Sequence, residues 1–273
     1  MATQARNMGF IGAGNMGTAL IRGLVSSGLY DSERVNISDA DEGKVKQVSD
    51  QFGVRGFQEN RALVRECDIV VLCVKPQNMR EVLEDIKEEV HGDHLLISIA
   101  AGIPLKMIFG VLGQEIPAVR VMPNTPALIQ RGMSALAPGS LVSSEQMSRA
   151  RDIFDAVGET VIVEEGMMDA VTAVSGSGPG YLFRIMECFV KGGMGVGFDE
   201  KTSLLLVVQT ILGAAHLAKE SDKSLTQLRE MVTSPGGTTA AGLGVFDSQG
   251  LEGIIREVVK AARDRGVELG KNY

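Results

Sequence analysis

Two short stretches of this chain carry residue types and spacings that could do chemistry. Ser234-Pro235-Gly236-Gly237-Thr238-Thr239 joins glycine-exposed backbone amides to hydroxyls where a helix is expected to begin. The first amides of a helix lack intrahelical partners and sit at the positive end of its dipole, so such a turn suits a small carboxylate. At the opposite end of the sequence, Gly12, Gly14 and Gly17 have the GxGxxG spacing inside Gly9-Phe10-Ile11-Gly12-Ala13-Gly14-Asn15-Met16-Gly17. An apolar strand precedes them and a helical pattern follows. In that setting the first glycine permits the tight turn, the second lets backbone approach a pyrophosphate, and the third lets the helix lie close to the strand. One stretch implies an acid substrate, the other a dinucleotide.

Other candidates fall where strands should end. Ser38-Asp39-Ala40-Asp41 lies about 20 residues beyond Gly17, where a dinucleotide fold places the residue that meets the adenosine ribose. Asp39 could accept hydrogen bonds from ribose hydroxyls and would repel a 2′-phosphate. No arginine follows it, the nearest cation is Lys44, and Ser38 could contact ribose or phosphate, so NADH is favoured and NADPH left open. Asn60, the Val74-Lys75-Pro76 turn and Ala100-Ala101-Gly102 stand at the sheet edge where open α/β sheets gather ligands. A lysine before a proline is as well explained by a backbone contact as by proton transfer, so Lys75 receives no acid role.

His91, His94 and His216 form no metal-binding pattern, and Ser175-Gly176-Ser177-Gly178-Pro179-Gly180 fits a helix start better than a nucleophile elbow. What remains is a nicotinamide site and an anion turn, without the histidine or lysine that most alcohol dehydrogenases use. Hydride transfer to an already electrophilic C=N bond needs little acid help, and positioning with one hydroxyl can suffice.

These residues need a scaffold, and its pattern is legible. At 273 residues the chain exceeds one ordinary compact domain. Short β-type runs alternate with amphipathic stretches up to Glu164, predicting a parallel sheet with crossover helices; Ile69 to Val74 is continuously apolar, as a strand covered on both faces should be. Beyond Glu164 only helices are expected: Met168 to Ser175, Pro179 to Gly192, Asp199 to Lys219, Leu225 to Val232, Gly237 to Ser248 and Glu252 to Gly270. Asp199 is an expected N-cap, and Ser224 with Gln227 an expected capping box. The expected organisation is an α/β Rossmann domain over residues 1–164 and an all-α dimerisation and substrate domain over 165–273.

The helix around Thr202 to Lys219 is apolar over nearly its whole circumference and must be buried all round, which predicts a dimer that covers it. Its apolar run, Ser203 to Ala218, contains Gln209 and His216 and is shorter than the roughly 20 residues of a bilayer span. The net charge of −7 and pI near 5.1 argue against nucleic acid and anionic membrane as partners. Three widely spaced cysteines predict no disulfide framework and fit a reducing cytoplasm, and the short polar start leaves no room for a signal peptide.

Six segments in order carry a resemblance: Phe10 to Gly17, Val74 to Pro76, Ser98 to Gly102, Arg120 to Pro126, Ser175 to Pro179 and Ser234 to Leu243. Along essentially its full length the chain resembles the pyrroline-5-carboxylate reductases, which make L-proline. The resemblance implies a Rossmann domain plus a helical dimerisation domain with interleaved helices, and dimers that often assemble further. It implies that the amides around Gly236, Gly237 and Thr238, with Ser234 nearby, hold the substrate carboxylate, and that Thr239 hydrogen-bonds or protonates the ring nitrogen. Gly12, Gly14, Asn15, Met16 and Gly17 would hold the pyrophosphate, and Asn60, Val74, Lys75, Pro76, Ala100 and Asn124 would line the nicotinamide and ribose side. Ala40 stands where some members carry arginine, which weighs against a strong NADPH preference. A hydroxyacid-type or 6-phosphogluconate-type dehydrogenase is the nearest alternative, but its lysine would have only Lys191, at the wrong end of its helix, to stand for it. A nucleotide-sensing scaffold without activity would not need both turns.

Overall fold

The computed structural model describes residues 7–270. Strands and helices alternate through the first half: β1 (Met8–Ile11), α1 (Asn15–Ser26), β2 (Val35–Ser38), α2 (Glu42–Phe52), β3 (Arg55–Phe57), α3 (Asn60–Arg65), β4 (Ile69–Leu72), α4 (Met79–Ile86), β5 (Leu95–Ser98), α5 (Leu105–Leu112), β6 (Ala118–Pro123), β7 (Gly132–Pro138), α6 (Ser144–Asp155) and β8 (Gly158–Ile162). They form one eight-stranded sheet in the order β3-β2-β1-β4-β5-β6-β7-β8. After β1 the chain winds outward through β2 and β3, then returns to β4 on the other side of β1. That reversal creates a crevice at the carboxyl ends of β1 and β4, the place where such sheets bind ligands.

Helices cover both faces. On one, Leu20, Ile21 and Leu24 of α1 and Ile153 and Phe154 of α6 pack on Phe10, Val71 and Ile97. On the other, Leu63 and Val64 of α3, Leu83 and Ile86 of α4 and Ile108 of α5 pack on Val70, Leu72 and Leu96. β4 is therefore buried along its whole length, as its unbroken Ile-Val-Val-Leu run requires.

The parallel expectation fails at one pair. β6 and β7 run antiparallel, with Arg120 opposite Ala137 and Val121 opposite Leu136. Residues 124–131 between them hold only a single 3-10 turn, Thr125–Ile129, and a parallel return needs a crossover of a dozen or more residues. β8 is again parallel to β7, through α6.

The helical part differs from expectation at its start. Where one helix was predicted over Met168 to Ser175, α7 spans only Met168–Val171 and gives way to a π-helical turn at Thr172–Gly176. Asn124 draws the Ser175 carbonyl and hydroxyl toward β6 here, each 3.3 Å from its side-chain amide nitrogen.

Two compact units divide between Ser177 and Gly178, later than the change from strands to helices, and the end of the last helix from Ala262 onward counts with the first unit. The second unit contains α8 (Gly178–Gly195), α9 (Glu200–Glu220), α10 (Leu225–Met231), α11 (Thr238–Ser248) and the larger part of α12 (Leu251–Gly270). Asp199 caps α9 by accepting from the Thr202 amide at 2.8 Å, and Ser224 with Gln227 forms the capping box of α10. α8 and α9 approach closely at Gly193, where the Ser203 hydroxyl donates to Val190 O at 2.8 Å.

α9 does not meet its expected burial within one chain. Of its residues only Ser203 is buried, while Leu205 is 70% and Leu217 53% exposed. The helix has the predicted length, and although its apolar run was expected to be too short for a bilayer span, at 21 residues it is long and apolar enough by length and composition to cross a membrane.

Candidate active site

The glycine turn closes the crevice at the carboxyl end of β1. Gly12 adopts φ +112°, and a Cβ there would lie 2.8 Å from the backbone carbonyl group of Cys73. A Cβ on Gly17 would run into Gly12 O, so this position too must be glycine for α1 to lie against the turn. Gly14 differs: it is the N-cap of α1, its backbone is ordinary extended, and among the described residues a Cβ would meet no atom within 4 Å. No side chain caps α1, and the first amides of this 12-residue helix precede its first i→i−4 bond, from Thr18 N–H to Gly14 O. Open space over Gly14 and uncapped helix amides fit a pyrophosphate, which takes hydrogen bonds from such amides and needs a bare backbone to approach them.

The turn opens on a cavity of about 720 Å³ whose lining includes Gly12, Gly14, Asp39, Ala40, Lys44, Asn60, Val74 and Lys75. The structure thus brings together six residues predicted from sequence. Pro76 starts the 3-10 turn after Lys75, Asn15 and Met16 open α1, and Ala100 is buried just beyond β5.

Three predicted residues are more committed than expected. Ser38 is fully buried, and its hydroxyl donates to Asn60 Oδ1 at 2.9 Å, so it supports Asn60 from below. Asp39, expected to be free for ribose, accepts the Ala13 amide at 2.7 Å and the Asp41 amide at 2.9 Å. Asn124 accepts the Met133 amide at 2.8 Å while holding Ser175, so its side chain joins β6, β7 and the π turn.

The sequence reading missed the cavity's other wall, formed by Glu81 and Asp85 of α4 with Gln77 and Asn78 before it. Asp85 receives Asn60 Nδ2 at 3.1 Å and Arg61 Nε at 2.9 Å, extending the Ser38–Asn60 chain to α4. The i, i+4 spacing of Glu81 and Asp85 was the available signal, since it puts both carboxylates on one helix face. Cys73 also lines the cavity, and burial pushes its thiol up from its ordinary value, which leaves it protonated at neutral pH. Among the described residues no group of His, Cys, Asp and Glu could hold a metal ion.

In the second unit, Ser234 to Gly237 is a tight turn closed by Gly237 N–H to Ser234 O at 3.0 Å, with Gly236 at φ +70°. Proline before a left-handed glycine is the pattern of a type II turn. Gly237 is the uncapped N-cap of α11, and a Cβ on it would strike the Ser234 hydroxyl. The Gly237 amide, expected to face a carboxylate, is therefore spent on the turn. The amides of Thr238, Thr239 and Ala240 precede the first helical bond, from Ala241 N–H to Gly237 O, and so have no partner within α11. Thr239 lies half-buried on its first turn beside exposed Thr238.

A doubly wound sheet with a glycine turn and an uncapped helix start at its switch point defines a pyridine-nucleotide-dependent oxidoreductase. Residues 7–102 match the family model described as NADP oxidoreductase coenzyme F420-dependent, and residues 165–269 match that for pyrroline-5-carboxylate reductase dimerisation. The chain is 41% identical to the pyrroline-5-carboxylate reductase of Methanosarcina acetivorans, over 97% of this chain and 98% of that protein. The solved structure of a pyrroline-5-carboxylate reductase from Coxiella burnetii superposes with a TM-score of 0.93 at 37% identity, covering 97% of this chain and 98% of that one. A Plasmodium falciparum pyrroline carboxylate reductase with NADP bound gives 0.87 at 31% identity, covering 98% and 100%. The chain belongs to the pyrroline-5-carboxylate reductase family.

Proposed function

We infer that this chain reduces the C=N bond of 1-pyrroline-5-carboxylate to give L-proline, the last step of proline biosynthesis, with NAD(P)H as donor. The observation that carries this reading is the pair of uncapped helix starts on one chain, at Gly14 for a dinucleotide and at Gly237 for a carboxylate. When bound, the reduced nicotinamide supplies the hydride that the imine carbon accepts.

The chain's own groups do the rest. The amides after Gly12 bind the pyrophosphate and those of Thr238 and Thr239 bind the substrate carboxylate, with Ser234 and Gly236 shaping the turn. The Thr239 hydroxyl is the group we assign to the ring nitrogen, which gains a proton as the carbon gains hydride. Asn60, held by Ser38 and Asp85, and Val74, Lys75, Pro76 and Ala100 line the nicotinamide and ribose side. Asn124 acts there by anchoring Ser175 and Met133.

NADH is the favoured donor in this proposal. Asp41, Glu81 and Asp85 line the cavity against only Lys44 and Lys75, and Ala40 offers no cation to a 2′-phosphate. A homodimer, with further assembly of dimers, accounts for the exposed leucines of α9, and a cytoplasmic location fits three free thiols. We assign no nucleic acid or membrane partner. Substrate-dependent oxidation of NADH and NADPH, followed by fluorescence, tests the reading: pyrroline-5-carboxylate must drive it, and NADH must outperform NADPH. Turnover with hydroxy acids alone would replace the reductase by a hydroxyacid-type dehydrogenase.

A further inference from the structure

The carboxylate of Asp39 sits between two loops rather than facing the cavity with both oxygens free. Its Oδ2 accepts from Ala13 N–H at 2.7 Å, in the middle of the glycine turn, and its Oδ1 accepts from Asp41 N–H at 2.9 Å, in the loop before α2. Ala13 is buried, so its amide would lose its partner if this carboxylate left, and an unpaired buried amide is costly. A hydrogen bond to an ionised acceptor at this short distance belongs to the stronger class. The next amide back is tied in the same direction: Gly12 N–H donates to Ser38 O at 2.8 Å. Asp41 in turn caps α2 by accepting from the amides of Gly43 and Lys44, at 3.0 and 3.3 Å. One carboxylate thus joins the turn that opens α1 to the loop that opens α2.

We propose that Asp39 is a positioning residue that holds the glycine turn in shape for NADH and NADPH alike, rather than a residue that chooses between the two donors. The proposal rests on the dinucleotide reading of the cavity. It departs from the expectation that an acidic residue at the end of β2 discriminates by meeting the ribose and repelling the phosphate. A discriminating carboxylate affects the two donors in opposite senses; a strut under the shared pyrophosphate turn affects both in the same sense.

Asp39→Ala and Asp39→Asn separate these roles. Hydrogen exchange of residues 9–17 is followed in the protein free of nucleotide, and dissociation constants for NADH and NADPH are measured by fluorescence without substrate. Removing the carboxylate is expected to speed exchange at the Ala13 amide and to weaken both donors about tenfold or more, with their ratio nearly kept. Asp39→Asn, which keeps one oxygen acceptor, should lose less. Unchanged exchange at Ala13, or weaker NADH binding with NADPH unchanged or tighter, would overturn the proposal. Should the unsubstituted protein bind neither nucleotide, the reductase reading fails, yet exchange in the nucleotide-free protein still decides whether Asp39 holds the turn. If Asp39→Ala does not fold, the asparagine variant gives the same two readouts.

Discussion

At the scale of single residues, the three glycines of the first turn share a motif but not a reason. Gly12 is fixed by its positive φ and by Cys73, and Gly17 by Gly12 O, whereas nothing in the described chain excludes a side chain at Gly14. Gly12→Ala is therefore expected to unfold or severely destabilise the protein. Gly14→Ala should keep the melting temperature but weaken nucleotide binding by about tenfold, on the order of 1.4 kcal/mol. Parallel thermal melts and fluorescence titrations check both; a large drop in melting temperature for Gly14→Ala would mean that the turn, not the ligand, demands glycine there. In the second unit, Thr239→Ala should lower kcat by about tenfold or more while leaving the NADH dissociation constant unchanged. Unchanged turnover would remove the hydroxyl from the chemistry. Burial pushes the Cys67 thiol up to about 12, so it should resist alkylation at neutral pH in the folded chain and react only on unfolding.

At the scale of elements, the strands, most helices and two of the caps could be read from the chain because their signals are local. Period, apolar runs, glycine stops and Ser-x-x-Gln all act within a few residues. What stayed hidden depends on partners far apart in sequence. The antiparallel β7 follows from a link too short for a crossover, and the roles of Asp39 and Asn124 follow from amides 26 and 9 residues away. Arg120 is the plainest case: it belongs to a recognised segment, yet its function there is not legible from it. Its buried guanidinium on β6 lies 3.6 Å from Glu165 and 3.9 Å from Asp169, and Glu165 also accepts the Leu105 amide that opens α5. The arginine therefore ties the sheet to α5 and to α7. Arg120→Ala should cost roughly 1 kcal/mol by denaturant unfolding, less than a fully buried pair would, because Glu165 and Asp169 keep about a third of their side-chain surface in water. A change within experimental error would show that Glu165 and Asp169 are adequately solvated without it. α9 carries a smaller, pH-dependent contribution through Asp199, whose carboxyl the Thr202 amide holds below its ordinary value of 3.8. That contribution is complete above the ordinary value and is lost as pH falls through the lower folded one.

At the scale of the whole molecule, one chain leaves an unusual amount of apolar surface without cover. Leu204, Leu205, Leu206, Val208, Leu212 and Leu217 are all exposed along α9, and Phe183 and Val196 add to them on and beside α8. Surface of this kind marks an interface, and the family model matched by residues 165–269 is one of dimerisation. Leu205→Glu with Val208→Glu should give a monomer by light scattering, with a melting temperature that no longer rises with protein concentration. A dimer of undiminished stability would place the interface elsewhere. The central claim is the reaction itself, and it is tested most directly by incubating the purified protein with NADH and pyrroline-5-carboxylate and measuring L-proline. The account predicts one proline formed for each NADH consumed, and no consumption when the imine is omitted. NADH loss without proline, or no loss while hydroxy acids reduce NAD, would contradict it.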